Sequence, residues 1–344
     1  MVNPQQISVI ADRSSGRNNH FNLIRMVAAT GVLVSHAYPL TLGPDAVQPL
    51  EGWLRGIPLG TVCVYIFFAT SGFFITKSFD QSTSRWRFLK ARVLRLYPAL
   101  ALVLTLTVLV AACCLTTAPS ATYWAAVPDY LVRNLALFKL EYTLPGVFET
   151  NPYGATINGS LWTLSYEVLC YFGVFIAGVL GLLRKKRALA LALLGFVILY
   201  IAAPSLPLPR RLDTLLDLAM PFAIGTAFYV WRSFVPLRLS LGVLLAVFAG
   251  VAWLTPLFEL VFAIALSYWV FLVGLAKNEA LLAYNRLGDY SYGMYIFAFP
   301  VQQMFASVTE AMPLWNMALA LPITLICAIL SWHLVEKTAL SWVR

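Results

Sequence analysis

Arg25 and His36 stand eleven residues apart in one apolar run, 22–42, and no other basic side chain interrupts it. In an α-helix those steps turn through roughly 1100°, about 20° from three full turns, so both side chains face one way about 16 Å apart. A guanidinium can hold phosphate through charged hydrogen bonds, and an imidazole can act as a general base. Glu167 lies in another apolar run, seven residues beyond Ser160. If that run enters a membrane from the far side, Glu167 sits about 10 Å below that surface and His36 about 9 Å. A carboxylate and an imidazole at one depth suit a base and the group that orients it and stabilises its cation. The plainer alternatives are a histidine satisfied by a backbone carbonyl and a glutamate bonded to Trp162 or tyrosine side chains.

A second cluster is RWRFLKARVLRLYP, residues 85–98. Arg92 and Arg95 share one helix face, with Lys90, Arg87 and Arg85 just before them. Such a face holds lipid headgroups, marks topology, or grips a polyanionic cofactor through bidentate arginine–phosphate bonds. Asp217 and Glu259 interrupt later apolar runs, where each suits a structural hydrogen-bond partner. The run LGDYSYGMYIF, 287–297, places Asp289 and several hydroxyls at a helix start, as the wall of a polar cavity or as ordinary interfacial residues. Asn158-Gly159-Ser160 reads as a turn and helix cap rather than a glycosylation site.

These residues need elements to carry them, and composition says which kind. Of 344 residues 60% are hydrophobic and 11% charged, with mean hydropathy +0.78. Soluble domains average about 45–50% apolar and about 25% charged. An ordinary soluble enzyme, a disordered chain and a disulfide scaffold are thereby excluded. Apolar runs of helix length fall at about 22–42, 58–79, 93–115, 160–183, 188–204, 213–231, 238–254, 256–276, 287–307 and 313–335. Pro58 opens one, Ser160 can cap another, and Thr255-Pro256 makes a tight break. The piece 128–140 is too short and too charged to span, and suits an interfacial or re-entrant helix.

The reading is an all-α integral membrane protein of about ten transmembrane helices. It has a tail over 1–21, a transmembrane domain over 22–335 and a second tail over 336–344. With both termini cytoplasmic, most of the 24 Lys and Arg, including Arg17, Arg344 and the 184–187 RKKR cluster, fall on the inside. The formal charge of +9 is then topology rather than a sign of nucleic acid. The N-terminus has no signal-peptide pattern, so the first span does the targeting. Cys63, Cys113, Cys114, Cys170 and Cys327 lie in apolar stretches without metal-type spacing and read as small buried residues; no metal is expected. Charge within hydrocarbon costs at least about 2.5–3.5 kcal/mol per residue on insertion scales, which makes the few intramembrane ions the candidates for function.

Taken in order, these residues resemble the acyltransferase family 3 membrane proteins. The family's Arg, ten intervening residues and His match Arg25 and His36. Its phenylalanine-rich stretch ending Ser-Gly-Phe is similar to FFATSGFFI, 67–75, which contains Ser71. Its basic motif is matched by Arg92, Arg95, Tyr97 and Pro98, and its Trp-Ser-Leu…Glu by Trp162, Thr163, Leu164 and Glu167, with Thr163 in place of serine. GDYSY at 288–292 and Glu336 match the late motifs. Two departures stand out. Many members have a His two residues before a Pro where this chain has Ala298 before Pro300, and the Pro that often follows the last Glu is replaced around Thr338.

The resemblance is to the stand-alone form, without a fused hydrolase-like domain. It implies transfer of an acyl group, usually acetyl, from cytoplasmic acyl-CoA to a hydroxyl of an extracytoplasmic glycan or glycolipid at the inner membrane. Carried over residue by residue, it gives His36, Glu167 and Arg25 to catalysis. With it, the reading of the residues assigns Arg92, Arg95, Lys90 and Tyr292 to acetyl-CoA, and Trp162, Ser165 and Ser71 to the acceptor. The competing class is a polytopic transporter or flippase using Arg25, His36 and Glu167 as a substrate or proton relay.

Overall fold

The computed structural model describes residues 8–16, 18–306, 308–309 and 312–343. Arg17 and Arg344, both assigned to the inside, and Ser307, near the end of the 287–307 run, lie outside the described residues. Among those described, every regular element is helical. The main helices are α1 (Phe21–Leu42), α2 (Leu59–Asp80), α3 (Arg85–Val110), α4 (Ser120–Ala136), α5 (Trp162–Val179), α6 (Lys186–Ala202), α7 (Arg210–Val230), α8 (Leu239–Ala252), α9 (Phe258–Gly274), α10 (Ser291–Ala306) and α11 (Pro313–Ser331). Each of the ten apolar runs thus becomes a helix.

Six helical stretches among the described residues are long and apolar enough to cross a membrane. A seventh joins Phe258–Gly274 to Glu279–Arg286 through a 91° bend. The rest of the ten fall outside that set for identifiable reasons. Helix α7 carries Arg210, Arg211, Asp213 and Asp217, and α8 and α10 have 14 and 16 residues. Helix α4 starts well before residue 128 and is 17 residues long, with Pro128 inside it.

Local signals explain several ends. Pro58 immediately precedes α2. Thr255 makes the α8–α9 break: its hydroxyl donates to the Ala252 carbonyl at 2.9 Å and accepts from the Leu257 amide at 3.2 Å. Before α5 the cap is Asn158 and not Ser160. The Asn158 side chain accepts from the Ser160 amide at 3.2 Å, while the buried Ser160 hydroxyl bonds to no described residue.

The cysteine expectation needs a correction. Cys63 and Cys170 are buried, but Cys113 and Cys114 are exposed, on a π turn (Ala111–Leu115) that ends α3. An apolar neighbourhood predicts protein burial only where the alternative is water. A helix in lipid can turn apolar residues outward at no hydrophobic loss, as exposed Leu169, Phe172 and Val247 also do.

The chain packs as two compact units. The first takes the residues up to Arg25, Val64–Thr83 and Tyr166–Leu287; the second takes Met26–Cys63, Ser84–Ser165 and the chain from Gly288. The first has an aromatic core in which Phe73 meets Phe271 at 4.9 Å and Tyr229 at 5.4 Å between ring centroids. Beside it α2 and α7 cross backbone to backbone. A Cβ on Gly72 would come 2.0 Å from the Phe222 carbonyl oxygen, and one on Gly225 would come 2.0 Å from that of Ala69. The Thr76 hydroxyl bonds Thr226 at 3.1 Å across the same crossing. Small residues let apolar helices approach this closely, and dispersion then drives their association where no water can. The second unit is organised around α10, almost every residue of which is buried.

Enlarging the α2–α7 crossing should therefore be costly. Gly225→Leu is expected to lower stability by about 1–3 kcal/mol or more, read as a lower melting temperature of the detergent-solubilised protein. Val247→Ala, at an exposed position of α8, should leave the melt nearly unchanged.

Candidate functional site

The second unit holds the densest ionic cluster. Arg95, on α3, donates from Nη2 to Asp289 at 2.8 Å and from Nη1 to Glu336 at 3.3 Å. The acids are held in turn, Asp289 by the Ser291 hydroxyl at 2.7 Å and Glu336 by the Ser331 hydroxyl at 2.8 Å. Helix α11 runs into a π turn, Trp332–Glu336, before a last helical stretch at Lys337–Ser341. The Ser331–Glu336 bond closes across that turn, and Glu336 is left 1% exposed. The guanidinium also lies 5.6 Å from the ring centroid of Tyr292, whose hydroxyl donates to the Leu96 carbonyl at 2.9 Å. One cation and two carboxylates leave a net negative group, so the charge of Arg95 is engaged within the fold.

The other members of the proposed donor set lie nearby in sequence. Lys90 is exposed, and Arg92 is half-buried with its guanidinium 5.9 Å from the Phe88 ring. The structure thus brings Arg95 and Tyr292 together and adds Asp289 and Glu336 as partners that spacing alone did not assign to Arg95.

His36, on α1, is half-buried, and its Nδ1 is buried without a hydrogen bond to any described residue. The backbone carbonyl of the plainer alternative is therefore not found at that nitrogen. The ring packs edge-on against Phe299 of α10, with centroids 5.4 Å apart and planes at 76°. An unpaired buried nitrogen costs about 1–3 kcal/mol, and such atoms in native proteins call for an explanation such as a catalytic role. Of the acceptor set, Trp162 is 38% exposed and Ser165 half-buried. The neighbouring Thr163 is buried and shares a 2.5 Å hydrogen bond with Tyr295. Thr163 thus retains the hydroxyl of the serine it replaces.

In the first unit Glu167 accepts from Ser71 at 2.8 Å and from Tyr171 at 2.5 Å. The structure therefore joins a residue proposed for catalysis to one proposed for the acceptor, and the tyrosine is the kind of partner the plainer alternative supposed. Arg25 donates to Asn22 at 2.7 Å. Glu259 accepts from the Tyr65 hydroxyl, as a structural partner would. Among the described residues no group of three or more His, Cys, Asp or Glu is placed to hold a metal ion.

Sequence reasoning passed over the buried amides. Gln302 donates to the Leu33 carbonyl at 2.9 Å and to Asn316 at 3.1 Å, and Asn316 donates back to the Gln302 carbonyl at 2.9 Å. Gln303 and Asn151 form a second such group. The signal was available, because Gln302, Gln303 and Asn316 interrupt apolar runs and an amide in hydrocarbon needs partners as a charge does.

Removing Arg95 would leave two carboxylates facing each other without their cation. Arg95→Ala is expected to cost about 3 kcal/mol, measured as melting temperature in detergent. Glu336→Gln, which keeps the shape and the Ser331 contact, should cost less.

Comparison with known proteins now bears on the chain. The O-acetyl transferase of Shigella phage Sf6 is 32% identical over 337 residues, covering 94% of this chain and 97% of that protein. Nodulation protein 10 of Rhizobium leguminosarum bv. viciae is 26% identical over 367 residues, covering 96% and 95%. No solved structure matches the chain. The model of the acyltransferase 3 family, described as an acyltransferase domain, matches residues 18–333, nearly the whole chain. With its apolar helices and its ordered set of motifs, the chain belongs to the acyltransferase 3 family.

Proposed function

We propose that the chain transfers an acetyl group from cytoplasmic acetyl-CoA to a hydroxyl of an extracytoplasmic glycan or glycolipid. In this reading it spans the inner membrane about ten times with both termini cytoplasmic. Family membership supports acyl transfer. The name of the Sf6 relative, which aligns over nearly the full length of both chains, supports acetyl and an oxygen acceptor. The observation that carries the assignment of His36 is its buried Nδ1 without a described partner.

His36 acts as the general base. It takes the acceptor hydroxyl's proton as that oxygen attacks the thioester carbonyl. The C–S bond breaks, the acetyl group stays on the acceptor oxygen, and the sulfur leaves with the proton that the imidazolium returns. Arg92 and Lys90 hold donor phosphate, and Arg95 with Tyr292 frames that end of α3. Arg25, near the inner end of α1, serves donor phosphate or the thioester oxyanion. Glu167 keeps a catalytic role, supported by the cost of a carboxylate at its depth in an apolar helix. Trp162, Ser165 and Ser71 serve the acceptor.

His36→Ala should abolish transfer of labelled acetyl from acetyl-CoA to a glycan acceptor while the protein still inserts and purifies. Wild-type transfer by that variant would overturn the role. Arg92→Ala should raise the KM for acetyl-CoA about ten-fold, the loss of about 1.5 kcal/mol of charged hydrogen bonding, with the acceptor KM unchanged.

A further inference from the structure

We propose that Phe299 is the positioning residue of His36, and that residues 151–159 form the clamp that fixes Phe299. The inference rests on the proposed role of His36 as base. A catalytic histidine is ordinarily oriented by a hydrogen bond to its second ring nitrogen. Nδ1 of His36 has no such partner among the described residues, so the ring's orientation falls to packing. Phe299, itself 3% exposed, supplies a perpendicular contact on that ring at 5.4 Å. An edge-to-face pair constrains angle as well as distance.

The phenylalanine is fixed from its other sides by the connection that leads into the short 3-10 turn at Gly159–Leu161. Tyr153 meets it at 5.8 Å, again nearly perpendicular. Gly159 lies so close that a Cβ there would stand 2.6 Å from Cε2 and 2.8 Å from Cζ of Phe299. Asn158 donates to the Ile296 carbonyl at 2.9 Å, and Asn151 donates to the carbonyl and side-chain oxygens of Gln303 at 2.9 and 2.8 Å. Gln303 in turn donates to the carbonyls of Gly154 and Thr156 at 3.1 and 2.7 Å. Both ends and the middle of the segment are therefore tied to α10, the helix that carries Phe299. These bonds hold the segment against the helix that carries Phe299, and Tyr153 and Gly159 on it reach the ring that faces His36.

The test uses the full-length protein in detergent or vesicles, with labelled acetyl-CoA and a glycan acceptor. Gly159→Ala drives a methyl into Phe299 and should lower kcat about 10–100-fold, the range for a catalytic group displaced by about 1 Å. The KM for acetyl-CoA should not change. Phe299→Leu removes the ring edge without adding bulk, should also lower kcat, and serves if Gly159→Ala fails to fold. Because the added methyl acts through the ring, the double variant should be no slower than Phe299→Leu alone. Losses that simply multiply, or wild-type kcat in the folded single variants, would overturn the proposal. His36→Ala separates the two levels: if it is inactive while the Phe299 and Gly159 variants keep wild-type kcat, the clamp fails and the base stands. If it is active, the role of His36 fails and the clamp with it.

Discussion

Arg95 between Asp289 and Glu336 is the interaction on which the second unit depends. A charge taken into an apolar environment keeps its ionised form only if an opposite charge and hydrogen bonds replace its water. Here an arginine on α3 takes the replacement from two distant parts of the chain, the residue Asp289 just before α10 and the π turn that follows α11. Each carboxylate has its own serine donor, so the cluster is bonded outward as well as inward. Such a group specifies which ends of the helices meet. Dispersion between apolar faces cannot do that, because many registers bury similar area.

Helix α10 carries that specification through the unit. One end is set by Asp289 and Ser291, its middle by Asn158 on the Ile296 carbonyl, and its far end by Gln302 and Gln303. The polar anchors lie on several sides, so the helix has little freedom to rotate or slide. Phe299, between the second and third anchors, therefore has a defined place beside His36. The proposed chemistry needs that: proton transfer from an acceptor hydroxyl demands a ring held in one orientation.

The first unit solves a related problem differently. Its α2–α7 crossing relies on Gly72 and Gly225, with hydroxyl bonds from Thr76, and places few charges at the contact. Two of its half-buried carboxylates, Glu167 and Glu259, take hydroxyl donors from Ser71, Tyr171 and Tyr65 rather than cations. A neutral hydroxyl satisfies a carboxylate's lone pairs without adding a second ion to desolvate.

Much of this was legible in the sequence. Apolar runs located every helix that carries a candidate residue, because helix formation is local and satisfies the backbone within one segment. The scarcity of charge singled out Arg25, His36 and Glu167, because an ion in hydrocarbon needs a reason, while Arg95 stood out as part of a basic cluster. What the sequence did not determine was partnership. Arg95 lies 194 and 241 residues from its two acids, and nothing in spacing selects them over other carboxylates. Nor could pattern tell which face of a helix meets protein, since lipid and protein interiors are equally apolar; the exposed Cys113 and Cys114 follow from that. The pairings of Glu167 with Ser71 and Tyr171, and of His36 with Phe299, were decided by tertiary packing alone, which chooses neighbours by shape and by the need of each buried polar atom for a partner.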